Sequence, residues 1–124
     1  MRRASWQEYQ KDIASDKYYY ARSCIRQNFF PGSEKAFLDI LTNNLGIDIY
    51  DDPLHTSCTG IGYHSDVVPL ETIMTVVARQ FALMSEAGYE NFTSSCITSF
   101  GIYTELLATW EEFPETEERT RRYL

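Results

Sequence analysis

The chain has 124 residues, 44% of them hydrophobic and 15% aromatic, which is the size and composition of one globular domain with its own core. Its formal net charge of −7 argues against nucleic acid as a partner, because phosphate neutralisation needs a basic face. No apolar run reaches the roughly 18 residues of a membrane span, and the start at Met1 leads into Trp6, Gln7 and Glu8 instead of a secretory apolar core, so we expect a cytoplasmic protein without a membrane span.

Residues 1–17 are predicted to form an N-terminal helical extension. Ser5 and Glu8 match a capping box, in which the serine hydroxyl binds the glutamate amide and the glutamate reaches back. The apolar residues of this segment share one face by helical spacing: Trp6, Tyr9 and Ile13. A helix with one apolar face needs a surface to pack on, so we expect this extension to dock on its own domain or on a partner.

Three short β-prone runs, each followed by a helical pattern, make up residues 18–113, which we predict to be one domain. The runs lie at residues 18–21, 47–50 and 91–95, and the helices, with apolar residues three and four apart, at residues 31–45, 69–87 and 98–112. Alternating strands and helices with short joints predict an α/β fold, a small parallel sheet in βαβαβα order with right-handed crossovers. Predicted loops lie at residues 25–30 and 56–62, and a charged C-terminal tail at residues 114–124.

Each of the three cysteines falls beyond the end of a predicted strand: Cys24 after the first, Cys58 after the second and Cys96 after the third. The carboxyl ends of parallel strands share one edge of a sheet, and open α/β sheets bind ligands at that edge. We therefore expect the three cysteine loops to meet there. An odd number of widely spaced cysteines does not suggest a disulfide framework, which leaves reduced thiols, a metal site or plain burial.

The residues themselves leave the role of the cysteines open. Free cysteines are most often buried as small hydrophobes, although polar side chains flank all three here. His55 and His64 bracket Cys58, and three thiolates with one imidazole would complete a tetrahedral zinc site. The alternatives are that both histidines are surface loop residues, or that one forms a catalytic pair with a cysteine. Cys96 also precedes a predicted helix, whose dipole would stabilise a thiolate.

The cysteine spacing resembles that of the cysteine-rich CCG domain found in the B subunit of heterodisulfide reductase, C-x(31–39)-C-C-x(35–36)-C-x-x-C. Here 33 residues separate Cys24 from Cys58, and 36 residues separate Thr59 from Cys96. Thr59 and Ser99 stand where the family has its third and fifth cysteines, so three of five are kept. The flanking residues agree as well: Asn28 and Pro31-Gly32, Leu45-Gly46-Ile47, Asp51-Asp52-Pro53, and Phe100-Gly101. The resemblance covers residues 18–112.

The resemblance implies redox chemistry at the cysteines. In the family, each full set of five cysteines holds a noncubane iron–sulfur cluster, and two such domains in tandem place a disulfide substrate between two clusters. With Thr59 and Ser99 as weaker ligands, that cluster is not expected, because hydroxyls bind iron poorly beside thiolates. The alternatives are a 4Fe-4S cluster on Cys24, Cys58 and Cys96, a zinc ion on the same thiolates with His64 or His55 as the fourth ligand, or no metal.

Two functions of different kinds follow from this resemblance. The first is a redox subunit like the B subunit of heterodisulfide reductase, with protein partners in a larger electron-transfer or disulfide-reducing complex. Such partners include a second CCG domain or a second copy of the chain. The second function is a non-catalytic structural or accessory subunit of such a complex that has lost the cluster. The resemblance leaves open whether the chain itself catalyses a reaction.

Overall fold

The computed structural model describes residues 16–55, 58 and 60–124. The strands are β1 (Lys17–Ala21), β2 (Asp48–Tyr50) and β3 (Phe92–Ser94). The helices are α1 (Cys24–Phe29), α2 (Pro31–Asp39), α3 (Gly60–His64), α4 (Leu70–Glu86), α5 (Ile97–Glu112) and α6 (Pro114–Arg121), and a π-helical turn (Ile40–Asn44) continues α2. The helix predicted before residue 16 lies outside the described residues, as does Thr59.

The described strands form a parallel sheet in the order β2-β1-β3. Tyr19 of β1 lies opposite Tyr50 of β2 on one side and Phe92 of β3 on the other. A parallel neighbour on each side needs a crossover connection, and helices supply it in both cases. The predicted α/β class with its small parallel sheet is confirmed. The three strands therefore present their carboxyl ends at one edge.

The core is built from the central strand and the two long helices. The fully buried apolar residues of α4 and α5 recur three or four positions apart: Ile73, Met74, Val77, Ile102, Tyr103 and Leu106. Each such side chain contributes roughly 1.5–3 kcal/mol by leaving water. In the described part of the chain, no helix is long and apolar enough to cross a membrane.

Two segments that the sequence predicts as loops are helical instead. Residues 25–30 lie mostly in α1, which the buried Ser23 caps by accepting the backbone N–H of Arg26 at 3.2 Å. Residues 60–64 form α3. The loop prediction was therefore wrong for most of residues 25–30 and for residues 60–62 of the segment 56–62. Helices of five or six residues are too short to show an apolar period, and their formation depends on caps and tertiary packing.

The ends of two helices follow the prediction. Gly46 and Gly88 have φ angles of 67° and 78°, in the left-handed region that glycine adopts without a Cβ clash. Gly46 follows the π-helical turn, and Gly88 lies just beyond α4. Both glycines therefore turn the chain back toward the next strand.

The charged segment that begins at Pro114 forms α6, which packs on α4 and α5. Thr120 is its buried residue, and the threonine hydroxyl donates to the carbonyl of Thr116 at 2.8 Å. Arg119 forms an ion pair with Glu71 of α4. The predicted tail is thus held against the domain by packing, since exposed ion pairs contribute little. The predicted domain limits at residues 18 and 113 stay a prediction.

Candidate functional site

Two of the three cysteines, Cys58 and Cys96, lie beside Ser99 at the carboxyl edge of the sheet. Ser99 lies in the first turn of α5 and is 2% exposed. Its Oγ is 3.1 Å from Sγ of Cys58, and Ser99 also lowers the pKa of the Cys96 thiol. Cys58 comes from the connection before α3, whereas Cys96 directly precedes α5. One buried serine therefore acts on two thiols that lie 38 positions apart in the chain.

The Cys96 thiol has a lowered pKa because of polar groups at Ser23 and at the start of α5. Burial raises the pKa of this thiol, but hydrogen bonds outweigh it, so that the pKa lies below its ordinary value. The groups that lower the pKa are the backbone and hydroxyl of Ser99, the backbone of Thr98 and the hydroxyl of Ser23. Donors directed at sulfur favour the thiolate, which is the nucleophilic form of cysteine. Cys96 is partly exposed, so reagents from solvent can reach it.

The Cys58 thiol is more deeply placed. Cys58 is 5% exposed and belongs to the apolar core cluster with Tyr103. Its Sγ accepts the backbone N–H of Gly60 at 3.3 Å. A Cβ added at Gly60 would lie 3.2 Å from that sulfur and 2.9 Å from Cγ2 of Thr98. Glycine at this position therefore lets α3 approach the thiol and the start of α5.

Tyr103 lies one turn after Ser99 on α5, close to both thiols. Burial raises the pKa of its phenol, and the negative charges of Cys58, Tyr19 and Cys96 raise it further. Its hydroxyl has no hydrogen-bond partner among the described residues. Because a buried polar atom without a partner costs free energy, the Tyr103 hydroxyl lowers the free energy of unfolding.

Removing this hydroxyl is therefore expected to be neutral or to stabilise the fold by about 1 kcal/mol, in the variant Tyr103→Phe. Tyr20→Phe is the matched control, because the Tyr20 hydroxyl lies 2.8 Å from Glu34 and 3.0 Å from Ser95. That variant should lose about 1 kcal/mol. Urea denaturation of both variants measures the difference. A loss in Tyr103→Phe as large as that in Tyr20→Phe would mean that the Tyr103 hydroxyl does have a partner.

Cys24 lies at the same edge, in the first turn of α1. Its backbone carbonyl accepts the side-chain amide of Asn28 at 2.7 Å, and its side chain is partly buried. The preceding residue, Ser23, connects this loop to the thiol pair, because its hydroxyl donates to Cys96. Cys24 is thus linked to the pair of Cys58 and Cys96 through Ser23.

The two histidines lie in different surroundings. His55 is 3% exposed, with its ring 5.5 Å from that of Tyr19, and neither ring nitrogen has a hydrogen-bond partner among the described residues. Burial, followed by the positive charge of Arg22, lowers the pKa of His55 to about 4. His64 is exposed at the end of α3 and lies edge-on to Tyr63. The prediction that His55 or His64 is a fourth metal ligand stays a prediction.

As the described residues lie, they do not fit a metal centre. No group of three or more His, Cys, Asp or Glu side chains among them is close enough to hold a metal ion. Structural zinc sites and iron–sulfur clusters use three or four such donors, and Cys58 and Cys96 bring together two thiols. The set of Cys24, Cys58 and Cys96, with Thr59 and Ser99 as weaker ligands, therefore stays a prediction.

Over 92 residues, which are 74% of the chain, the sequence is 33% identical to the B subunit of the ferredoxin:CoB-CoM heterodisulfide reductase of Methanosarcina acetivorans. The chain is a distant relative of this reductase component. The matched part is 29% of that protein, so the chain spans less than a third of its relative's length. No family model matches the chain, and no solved structure matches it significantly.

Ser99 was expected from the resemblance to replace the last cysteine of the CCG pattern and to be a weaker ligand. The structure places its hydroxyl 3.1 Å from Sγ of Cys58, so it is a hydrogen-bonding partner of that thiol.

Sequence reasoning missed two residues of this site, Ser23 and Tyr103. The signal for Ser23 was its position at the end of β1, where a serine before a short helix is a common cap. The signal for Tyr103 was its spacing of four from Ser99, which places both on one face of α5. Neither signal reveals contact with Cys96 or Cys58, because those contacts join segments that are distant in the chain.

Proposed function

We propose that this chain is a redox subunit of the same kind as the B subunit of heterodisulfide reductase, working within a larger electron-transfer or disulfide-reducing complex. The pair of thiols that meets at Ser99 carries this proposal, because a partly exposed cysteine beside a buried one can take part in sulfur redox chemistry. The 33% identity to a component of a heterodisulfide reductase supports the same role.

The partners proposed here are proteins of a redox complex. The relative is named for ferredoxin and the CoB-CoM heterodisulfide, which makes a ferredoxin the electron donor and a mixed disulfide the acceptor in the proposed complex. A second domain of the same kind, or a second copy of the chain, is the proposed neighbour at the cysteine edge. An exposed apolar side chain beside that edge is consistent with a covered surface: Ile97, which follows Cys96, is 81% exposed.

The proposed cofactor, if the ligand set predicted from the sequence assembles, is an iron–sulfur cluster or a zinc ion on Cys24, Cys58 and Cys96. Because the described residues do not form a three-donor group as they lie, Cys24 would have to turn toward the pair, or donors would have to come from a partner. Iron, acid-labile sulfide and zinc analysis of an anaerobically purified sample tests this part. Near-stoichiometric metal that is lost in each cysteine variant supports the ligand set, and metal-free protein removes it.

The redox role itself is tested by replacing each cysteine with serine in the assembled complex. We expect Cys58→Ser and Cys96→Ser to lower ferredoxin-dependent disulfide reduction at least about tenfold, because each removes one of the two sulfur atoms that meet at Ser99. Cys24→Ser separates the two forms of the site: an equal loss supports a three-cysteine ligand set, and a small loss supports a thiol pair. Full activity in all three variants would contradict the redox role.

A non-catalytic accessory subunit is the second candidate. The exposed apolar side chain of Ile97 at the cysteine edge favours it, and the described residues form no group of three metal donors. In that case the cysteine variants would keep the activity of the complex. Ile97→Ser, on an 81% exposed side chain, would instead release the chain from its partners in a co-purification.

A further inference from the structure

We propose that Cys58 and Cys96 form a reversible intramolecular disulfide, in which Cys96 is the attacking thiol, Cys58 the resolving thiol and Ser99 the positioning residue between them. The inference deepens the proposed redox function, because it names the groups that are oxidised, and it rests on that function for the nature of the oxidant. Its geometry does not depend on any metal.

The first support is that one buried serine acts on both thiols. Ser99 is 2% exposed, and its Oγ lies 3.1 Å from Sγ of Cys58. Ser99 also lowers the pKa of Cys96, which lies three positions earlier at the start of α5. A hydroxyl has one proton to donate, so when it donates to Cys96 it can accept from the thiol of Cys58. The proposed disulfide requires the side chains of Cys58 and Cys96 to turn toward each other beside this serine.

The second support is the difference in depth between the two thiols. Cys96 is partly exposed at the start of α5, whereas Cys58 is 5% exposed and packs in the core. A disulfide in solution can therefore reach Cys96 and cannot reach Cys58 without opening the fold. Such a pair, with one accessible and one covered thiol, has the arrangement required for attack followed by resolution.

The reaction balances with a small-molecule disulfide as the oxidant. The Cys96 thiolate attacks one sulfur of R–S–S–R, forms a mixed disulfide and releases one thiolate, RS⁻. Cys58 then gives up its proton and attacks Sγ of Cys96 as a thiolate, so that the Cys58–Cys96 disulfide forms, the mixed disulfide breaks and the second RS⁻ leaves and takes that proton. The two cysteines lose two electrons, and the small disulfide is reduced to two thiols.

The chain is well suited to a direct test, because trypsin separates its cysteines. Cleavage after Arg26, Lys35 and Arg79 places Cys24, Cys58 and Cys96 on three different peptides. The full chain is purified anaerobically, freed of metal with a chelator and checked by metal analysis. It is then treated with stoichiometric glutathione disulfide, blocked with an alkylating reagent and mapped by mass spectrometry.

We expect a cross-link between the peptides of residues 36–79 and 80–119, which dithiothreitol reverses. Cys58→Ser should trap glutathione on Cys96, and Cys96→Ser should leave residue 58 unmodified. Cys24→Ser is the matched control and should form the cross-link as the wild type does. Ser99→Ala should form it about tenfold more slowly, as expected for the loss of a hydrogen bond that holds the pair.

Glutathione that stays on Cys96 in the wild-type chain, or a cross-link that involves Cys24, would overturn the inference. A chain that binds metal through all three cysteines but forms no cross-link after metal removal would leave the proposed redox function standing and remove the thiol pair. A metal-free chain that forms the cross-link but has no activity in the complex would support the thiol pair and remove the proposed redox function. The two proposals can therefore fail separately.

Discussion

His55→Phe is expected to remove a loss of stability, about 3 kcal/mol at most, that the wild-type protein undergoes between pH 7 and pH 4. His55 is buried against Tyr19, with Asp52, Asp51, Arg22 and Arg79 as the charged groups that act on it. Since its pKa is lowered to about 4 from the 6.5 of a free side chain, the unfolded chain binds a proton more readily than the folded one.

The sign of the effect follows from this difference. Above pH 6.5 His55 is neutral in both states and has no effect on the free energy of unfolding. As the pH falls toward 4, the unfolded state takes up the proton first, so the free energy of unfolding falls. Phenylalanine keeps a ring of similar shape, and it sacrifices no hydrogen bond because neither imidazole nitrogen has a partner among the described residues.

Urea denaturation of the wild type and His55→Phe at pH 7, 6, 5 and 4 measures this effect. The difference between the two proteins matters, because carboxylates titrate in the same range in both. His64→Gln, on an exposed side chain, is the control and should keep the wild-type dependence on pH. Parallel curves for His55→Phe and the wild type would show that His55 is not buried in its neutral form.

Gly60→Ala is expected to cost about 1–3 kcal/mol and to slow the formation of the Cys58–Cys96 disulfide. The added Cβ would meet Cγ2 of Thr98 at 2.9 Å, Sγ of Cys58 at 3.2 Å and the backbone oxygen of Thr98 at 3.3 Å. The threonine methyl can rotate away, but the backbone oxygen cannot. The clash must therefore move α3 or the thiol away from the start of α5.

Gly101→Ala provides the matched control. Gly101 lies within α5, and a Cβ there would meet nothing within 4 Å. Alanine should therefore stabilise the helix by about 0.5–1 kcal/mol and leave the disulfide unchanged. Urea midpoints and the cross-linking assay, applied to both variants, separate a local effect of Gly60 from a general effect of glycine replacement. A Gly60→Ala protein as stable as the wild type would contradict the close packing of α3.

The sheet could be predicted because its signals are local. The aromatic run of β1 and the glycines at positions 46 and 88 mark the first strand and the ends of the helices before the other two strands. The order of elements then requires parallel pairing, which places the cysteine loops at one edge. The short helices α1 and α3 were out of reach because they are too short to show an apolar period: α1 depends on its cap Ser23, and α3 packs against Thr98, which is distant in the chain.

The location of the site could be predicted from the order of the strands, but its side-chain contacts could not. Topology brings Cys58 and Cys96 to one edge, but it does not say which side chains touch. The hydroxyl of Ser99 and the orphaned Tyr103 matter because of rotamers and depth, which the spacing of residues does not fix. The burial of His55 depends on Tyr19 of the central strand, 36 positions earlier in the chain. A histidine in a loop gives no sign of such burial.

A crystal structure of the anaerobically purified, reduced chain, with sulfur located by anomalous scattering, tests the central claim most directly. Our account predicts that the sulfur atoms of Cys58 and Cys96 both lie within hydrogen-bonding distance of the Ser99 hydroxyl, with Cys58 the deeper of the two. The same map would reveal iron or zinc bound to the thiols. Sulfur atoms that point away from each other, with Ser99 bonded elsewhere, would contradict the account.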